Sequence, residues 1–292
     1  MRKVQKLSSE LTWERFVLDL ELLLIEDPSS LAPIAVSLNQ ILLPEDSHDQ
    51  CLRNINFMSY ELMARCQDKN EDERVDELIN YFFNEKGFSL SSIPALGWSD
   101  EDLLIKPALQ NKCGAPLPTC LVFLHLANQL DLPIHLIHLK RHGVLKWVRG
   151  GRSCFLDLAN GGCELSPEQV LNMLNQAKGK LKEEALEILP GKKVFLRYVE
   201  DLSLLFKKNK DLTRLMITLN TRLVIEPNNL ELIAERALLR QRMGFVKEAL
   251  QDLKRYFSFV DKEHAPLEIQ MAFNQMEKVT SGGERDAMDF LH

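Results

Sequence analysis

The sequence contains no long apolar run, so it predicts no membrane-spanning helix. A helix that crosses a bilayer needs about 20 consecutive apolar residues, whereas the stretch 34–43 is shorter and contains Asn39. The basic residues within 1–6 are followed by Glu10 and Glu14, which interrupt the apolar segment that an export signal requires. We therefore expect a cytoplasmic protein that does not bind membranes.

The sequence also lacks an excess of positive charge and lacks paired cysteine motifs. Its 36 Lys and Arg residues stand against 42 Asp and Glu residues, for a net charge of −6. This balance provides no overall attraction to nucleic acid. The cysteines form no C-x-x-C pair and no zinc-finger spacing with histidine, so we expect small buried side chains in a reducing compartment and no metal or cofactor. The six cysteines are at positions 51, 66, 113, 120, 154 and 163.

Amphipathic helices dominate the N-terminal part of the chain. Apolar residues recur there every three or four positions, which is the helical period. Pro28 ends the first helical segment, and the Gly, Pro and Ser residues of 87–99 indicate a loop. We expect this region, residues 1–99, to pack on the following domain. The helical segments are predicted at 11–24, 31–42, 48–63 and 75–83.

A buried helix and three short strands follow. Residues 117–130 are apolar on nearly every helical face, which indicates a helix inside a domain, and Pro116 and Pro118 suit its first turn. The turn 149–153 joins the last two β-rich segments as a hairpin. A central helix on a small antiparallel sheet is an α+β arrangement. The strands are predicted at 134–139, 143–148 and 154–158.

The C-terminal part contains a degenerate repeat. Residues 215–227 align with residues 249–261 at an offset of 34, which is the period of tetratricopeptide repeats. Gly244 and Ala249 have the spacing of the turn glycine and the second-helix alanine of that repeat. Two copies are fewer than the three or so that a free solenoid needs, which predicts helices that pack on the preceding domain.

An ordered set of segments resembles the SirB-type family, whose members have a transglutaminase-like core followed by tetratricopeptide-like helices. The resemblance covers roughly residues 15 to 280 and implies a predominantly helical α+β fold of that organisation. The segments that carry it are 114–117, 121–127, 132–134, 141–145, 157–162, 195–197 and 248–253. The predicted division is an N-terminal helical region at 1–99, a transglutaminase-like core at 100–177, a linker at 178–193, tetratricopeptide-like helices at 194–280 and a tail at 281–292.

The resemblance also identifies candidate catalytic residues. It implies a general base at His142 and an orienting carboxylate at Asp157, but Pro116 stands where transglutaminases and papain-like enzymes carry the nucleophilic cysteine. Cys120 on the same helix and Cys113 in the preceding loop are the alternative nucleophiles, because a helix N-terminus favours the thiolate. A four-residue shift moves the sulfur of Cys120 about 6 Å along the helix, away from the usual triad geometry.

A cluster of basic residues and a group of histidines are each explained without a ligand. Basic residues surround Trp147 in the predicted hairpin, a pattern that nucleic-acid surfaces share with solvated strand edges, and we expect the strand edge and no nucleic-acid partner. His135 and His138 are three apart on a strand and face opposite sides, so with His125 they predict no metal site. The basic residues are Lys140, Arg141, Lys146, Arg149 and Arg152.

The sequence therefore favours a non-catalytic transglutaminase-like protein in a regulatory or scaffolding role. Its tetratricopeptide-like helices are expected to bind a protein or peptide. The alternative is a cysteine-dependent hydrolase or acyl transferase, similar to a protease or a transglutaminase. That enzyme would use Cys120 or Cys113 with His142 and Asp157.

Overall fold

The computed structural model describes residues 12–21, 31–43, 48–92, 97–137, 143–176 and 186–289. The chain divides into two compact units, Met1–Leu205 and Phe206–His292.

The fold is predominantly helical, with small sheets, as predicted. The helices are α1 (12–21), α2 (Leu31–Leu42), α3 (His48–Arg65), α4 (Glu71–Ile79), α5 (Asp100–Leu103), α6 (Ile105–Asn111), α7 (Pro116–Gln129), α8 (Pro167–Gln176), α9 (Gly191–Asn209), α10 (Leu212–Ile225), α11 (Leu230–Arg242), α12 (Val246–Phe257) and α13 (Leu267–Asp289). The strands are β1 (Ser89–Leu90), β2 (Cys113–Gly114), β3 (Ile134–Leu136), β4 (Val144–Arg149), β5 (Arg152–Asp157) and β6 (Cys163–Leu165).

Helix α7 is the centre of the first unit, as its apolar sequence predicts. Every side chain from Leu117 to Ala127 is buried, because α2, α3, α4, α6 and β3 cover the helix from different sides. A helix enclosed on all faces carries no polar stripe. The predicted helix 117–130 is therefore confirmed within one residue at each end.

The main sheet is antiparallel with strand order β3-β4-β5-β6. Arg149 pairs with Arg152, so the hairpin loop is the dipeptide Gly150-Gly151, in which both residues have positive φ. Two-residue hairpin loops need that backbone conformation, which glycine adopts without strain. Strand β6 was not predicted, because its three residues are too short to show an alternating pattern.

Two short helices, α5 and α6, lie between the N-terminal helices and α7 and were also not predicted. The side chain of Ser99 accepts from the backbone of the N3 residue, and Asp102 reaches back to the Ser99 amide at 3.0 Å. This reciprocal cap starts α5. Helix α6 ends at Asn111, and the capping residue Lys112 has φ +57. Elements of four and seven residues are too short for a helical period to be recognised.

A buried polar junction connects α2, α6 and α9 within the first unit. The side-chain amide of Asn39 donates to the hydroxyl of Tyr198 at 3.0 Å, and the backbone N–H of Ile105 donates to the same hydroxyl at 3.3 Å. The side-chain oxygen of Asn39 accepts from the backbone N–H of Lys106 at 3.2 Å. These bonds satisfy the first backbone amides of α6, which have no intrahelical acceptor.

The second unit repeats one turn geometry at the predicted 34-residue offset. Lys210 has φ +56 and Gly244 has φ +84. The residue after each turn donates its N–H back to the helix, Asp211 to Phe206 at 2.9 Å and Phe245 to Arg240 at 2.9 Å, which is the Schellman arrangement. The tetratricopeptide-like spacing is therefore confirmed, although the first copy has lysine where the second has glycine.

The interface between α11 and α12 contains a compact ionic cluster. Both oxygens of the buried Asp252 carboxylate accept from the Arg236 guanidinium, at 2.7 and 2.9 Å, and Arg240 donates to it at 2.7 Å. A third bond from Arg236 goes to the side-chain oxygen of Asn220 on α10 at 3.1 Å. The cluster connects three successive helices of the second unit.

Among the described helices, none combines the length and apolarity needed to cross a bilayer.

Candidate functional site

The N-terminus of α7 is shaped by packing rather than by a reactive side chain. Pro116 occupies the first turn, and Ala115 caps the helix without a side-chain hydrogen bond. At Gly114, an added Cβ would lie 2.7 Å from the Cβ of Ala108, a distance that real Cβ atoms do not reach. The glycine is therefore required for the close approach of α6, independently of any catalytic role.

Cys120 lies on α7 inside the core and is 1% exposed. Its sulfur packs against the backbone at residue 143, since a Cβ built on Gly143 would lie 3.7 Å from it. Burial raises the pKa of the Cys120 thiol to about 12, against a smaller lowering by the guanidinium of Arg197. The nucleophile of a cysteine enzyme is the thiolate, and at neutral pH this thiol is protonated.

Asp157 is the last residue of β5 and is 2% exposed. One carboxylate oxygen accepts from the backbone N–H of Ala159 at 3.0 Å, and the other accepts from the side-chain amide of Asn160 at 2.7 Å. The carboxylate thereby caps the short 3₁₀ helix Leu158–Asn160. Both oxygens have partners within the turn that follows the strand.

His142 lies outside the described residues, so its pairing with Asp157 stays a prediction. The residue that follows it is described: the carbonyl of Gly143 accepts from the N–H of Leu158 at 2.8 Å. The backbone next to His142 therefore lies beside Cys120 and beside the turn that Asp157 caps.

Cys113 lies on β2 and is partly exposed. Its sulfur is 3.2 Å from the hydroxyl oxygen of Ser91, a residue that the sequence analysis did not single out. The neighbouring Lys112 has its ammonium group 4.6 Å from the centre of the Phe88 ring, and burial lowers the pKa of this lysine. The sequence carries no signal for these contacts, because 22 residues separate Ser91 from Cys113.

Arg197 on α9 was likewise not predicted as part of this region. Burial lowers the pKa of its guanidinium, while the neighbouring acidic groups of Asp201, Cys120 and Glu200 raise it. In the sequence, Arg197 stands out only as part of segment 195–197, one of the segments that carry the family resemblance. The cation close to Cys120 is thus an arginine from a helix about 80 residues further along the chain.

Trp147 and Arg149 of the β4–β5 hairpin bind acidic residues at the start of α4. The indole N–H of Trp147 donates to the Glu71 carboxylate at 2.9 Å. Arg149 pairs with Asp72, and its guanidinium lies 5.0 Å from the centre of the Trp147 ring. Lys146 donates to the carbonyl of Leu186 at 3.2 Å. Lys140 and Arg141 lie outside the described residues, and Arg152 is exposed.

His125 and His135, the two described histidines of the core, lie on different elements. His125 is buried on α7, and His135 on β3 has its pKa lowered by burial and by Lys146. His138 lies outside the described residues. Within the described part of the chain, no three His, Cys, Asp or Glu side chains come together as metal ligands.

Comparisons with known proteins match both parts of this architecture. A transglutaminase-like superfamily model matches residues 49–200, just over half of the 292 residues, and a tetratricopeptide repeat model matches residues 202–277. A curated relative, the UPF0162 protein of Haemophilus influenzae, is 23% identical over 220 residues, which cover 73% of this chain and 78% of that protein. No solved structure matches the chain significantly. The order of the two matched regions agrees with the resemblance to the SirB-type family.

Proposed function

The chain belongs to the transglutaminase-like superfamily, and we propose that it is a non-catalytic member that acts through protein–protein interaction in a regulatory or scaffolding role. The observation that carries this proposal is the environment of Cys120. The thiol is enclosed in the core, and its pKa of about 12 keeps it protonated at neutral pH. Pro116, which occupies the usual nucleophile position, has no nucleophilic group.

The bonding of Asp157 also favours a structural role. In a catalytic triad the carboxylate orients the imidazole by accepting from its ring N–H. Here Ala159 and Asn160 already donate to the two oxygens at 3.0 and 2.7 Å. The carboxylate thus has a sufficient role in closing the turn after β5.

The second unit is the proposed binding region. Its helices α10 to α13 follow the tetratricopeptide-like pattern, and such arrays bind peptides and protein segments on their surfaces. Leu267 is 70% exposed and Met271 is 63% exposed one turn further along α13. We propose that a protein or peptide partner covers these side chains. Because Trp147, Arg149 and Lys146 contact the protein itself, we propose no nucleic-acid partner.

We also propose a cytoplasmic location. All six cysteines are free thiols, and Cys163 is exposed. Exposed free thiols persist in a reducing compartment and tend to oxidise outside one.

Thiol reactivity separates this function from the enzymatic alternative. The intact protein is treated with iodoacetamide between about pH 5 and pH 9, a range that brackets the usual thiol pKa, and labelling is located by mass spectrometry. We expect the exposed Cys163 to be labelled and the buried Cys120 to stay unlabelled. Rapid labelling of Cys120 near pH 6 that His142→Ala abolishes would overturn the proposal.

The binding role has its own test. The tagged full-length chain is cross-linked in a lysate of its source cells, and the captured proteins are identified and then purified for binding assays. We expect Leu267→Ser/Met271→Ser to weaken binding of the purified partner at least tenfold. Asn274→Ser, on the same solvent side of α13, is the matched control. Equal binding by all three proteins would exclude this surface.

Cys113 is the better candidate for the alternative function, a cysteine-dependent hydrolase or acyl transferase. It is partly exposed, it lies three residues before the start of α7, and its sulfur is 3.2 Å from the Ser91 hydroxyl. The labelling experiment covers this possibility. If Cys113 reacts faster than Cys163 at pH 6 and His142→Ala removes the difference, the enzymatic function is favoured.

A further inference from the structure

Helix α3 has a second face of large side chains, opposite the one it buries. The buried face includes Ile55 and Leu62, which are 1% and 0% exposed. On the other side, Phe57 is 64% exposed and Tyr60 is 71% exposed. Two large aromatic side chains on adjacent turns in solvent mark an interaction surface, because covering them removes apolar area from water.

The exposed positions form a continuous stripe along the helix. They are separated by alternating steps of four and three residues, which is the spacing that lets one helix pack lengthwise against another. A neighbouring position, Met63, is 43% exposed and widens the stripe. We call this surface the α3 stripe, and its residues, all exposed, are Arg53, Phe57, Tyr60 and Ala64 on α3 and Gln67 in the turn that follows it.

The α3 stripe is complementary to itself. When two copies of α3 run antiparallel about a two-fold axis between residues 60 and 61, Phe57 of one copy faces Ala64 of the other. The large ring then lies against a small methyl group, so the helices can approach closely. In the same arrangement Arg53 faces Asp68, an exposed residue in the turn after α3, so that opposite charges meet at both ends of the interface.

The flank of the stripe is held by ion pairs within the chain. Lys86 donates to Glu61 at 2.7 Å, and Arg65 donates to Glu85 at 2.6 Å. These side chains brace α3 against the segment after α4. Arg53 on α3 and Asp68 in the turn after it have charges of opposite sign, as an antiparallel pair of identical helices requires.

We infer that the α3 stripe is the interface of a symmetric homodimer, in which the second occupant is another copy of this chain. The two-fold arrangement makes every contact twice. This inference is independent of the function proposed above, since it concerns the first unit and a partner of known sequence.

Sedimentation of the full chain tests the inference. Over roughly 1 to 200 µM protein, the range of a moderate dimer affinity, we expect the mass to rise from 33.6 kDa toward twice that value. Phe57→Glu should leave a monomer throughout this range, with an unchanged circular dichroism spectrum because the side chain is exposed. A wild-type protein that stays monomeric, or a dimer that Phe57→Glu does not affect, would overturn the inference.

Charge reversal tests the antiparallel register. Arg53→Glu and Asp68→Arg should each weaken dimerisation by about threefold to tenfold, because each change places like charges at both ends of the interface. The double variant should recover to within about twofold of the wild type, since it restores the opposite charges. Arg152→Glu, an exposed reversal on the hairpin, is the control. A double variant that is weaker than both single variants would contradict the proposed pairing of Arg53 with Asp68.

Cross-linking provides an independent check of the axis. Tyr60→Cys places a thiol beside the two-fold axis, so the two copies should form a disulfide under mild oxidation. Asn54→Cys, exposed on α3 but far from the axis along the helix, should cross-link at least tenfold more slowly. Equal rates for the two variants would count against an axis at residues 60 and 61.

Discussion

The carboxylate of Asp157 accepts a hydrogen bond at 2.7 Å from the side-chain amide of Asn160, three residues later. Its other oxygen accepts from the N–H of Ala159. Asp157, which the sequence analysis predicts as the orienting carboxylate, thus caps its own turn. Asp157 therefore stabilises this turn independently of any catalytic role.

Replacing Asp157 should destabilise the fold. We expect Asp157→Ala to lower the free energy of unfolding by about 2–3 kcal/mol, because the substitution removes the charged acceptor of two partly buried hydrogen bonds, from the Ala159 N–H and the Asn160 amide. Asn160→Ala removes only one of the two bonds and should cost about 1 kcal/mol. Urea unfolding of both variants measures the difference, and an unchanged midpoint for Asp157→Ala would contradict this account.

Cys120 should make the stability fall at alkaline pH. Its pKa rises from about 8.5 in the unfolded chain to about 12 in the fold, so its contribution is complete below about pH 8.5 and is lost as the pH rises toward 12. We expect Cys120→Ala to lose less stability between pH 8 and pH 10.5 than the wild type does. Urea unfolding at the two pH values gives the comparison, and identical pH slopes would show that Cys120 does not titrate as proposed.

Tyr198 should be required for the junction of α2, α6 and α9. Tyr198→Phe leaves the Asn39 amide and the Ile105 N–H without their shared acceptor, and we expect a loss of about 2–3 kcal/mol. Tyr60→Phe, which removes an exposed hydroxyl, should change stability by less than about 0.5 kcal/mol. Thermal or urea unfolding at low protein concentration distinguishes the two, and equal effects would refute the role of the Tyr198 hydroxyl.

Exchanging the residue types of the two turns, Lys210→Gly and Gly244→Lys, should change the free energy of unfolding in opposite directions. Left-handed backbone costs a non-glycine residue about 1–2 kcal/mol, which is offset in part by the greater unfolded-state entropy of glycine. Lys210→Gly should therefore stabilise the protein by up to about 1 kcal/mol, and Gly244→Lys should destabilise it by about 1 kcal/mol. A destabilising Lys210→Gly would indicate that the lysine side chain has a role beyond the turn.

Asp252 should be indispensable for the α11–α12 interface. Asp252→Asn leaves Arg236 and Arg240 facing each other without their shared carboxylate. Removal of one member of a largely buried ionic cluster costs about 3–5 kcal/mol, and the residual exposure of both arginines places the expected loss at the lower end of that range. Asp261→Asn, at a side chain that is 87% exposed, is the control and should have almost no effect on the unfolding midpoint.

Much of the local structure could be predicted from the chain alone, because its causes lie within a few residues. The apolar faces of 117–130 predict a buried helix, and Ser166 and Gln169 form the reciprocal cap of α8 at 3.3 and 2.7 Å. The offset of 34 residues predicts the repeated turns of the second unit. Each of these signals depends on periodicity or on a cap that acts over one helical turn.

The chemistry of the candidate site was decided by tertiary contacts. Cys120 is a possible nucleophile in the sequence, and only the packing of the core around it raises the pKa of its thiol. Trp147 and Arg149 suggest a nucleic-acid surface until the fold brings the acidic start of α4 to them across more than 70 residues. Sequence by itself thus determined the longer helices and the β4–β5 hairpin, through local periodicity, caps and turn residues, whereas the short elements α5, α6 and β6 carried no such signal. The fold alone determined which polar groups are buried and paired, because burial depends on residues that are distant in the chain.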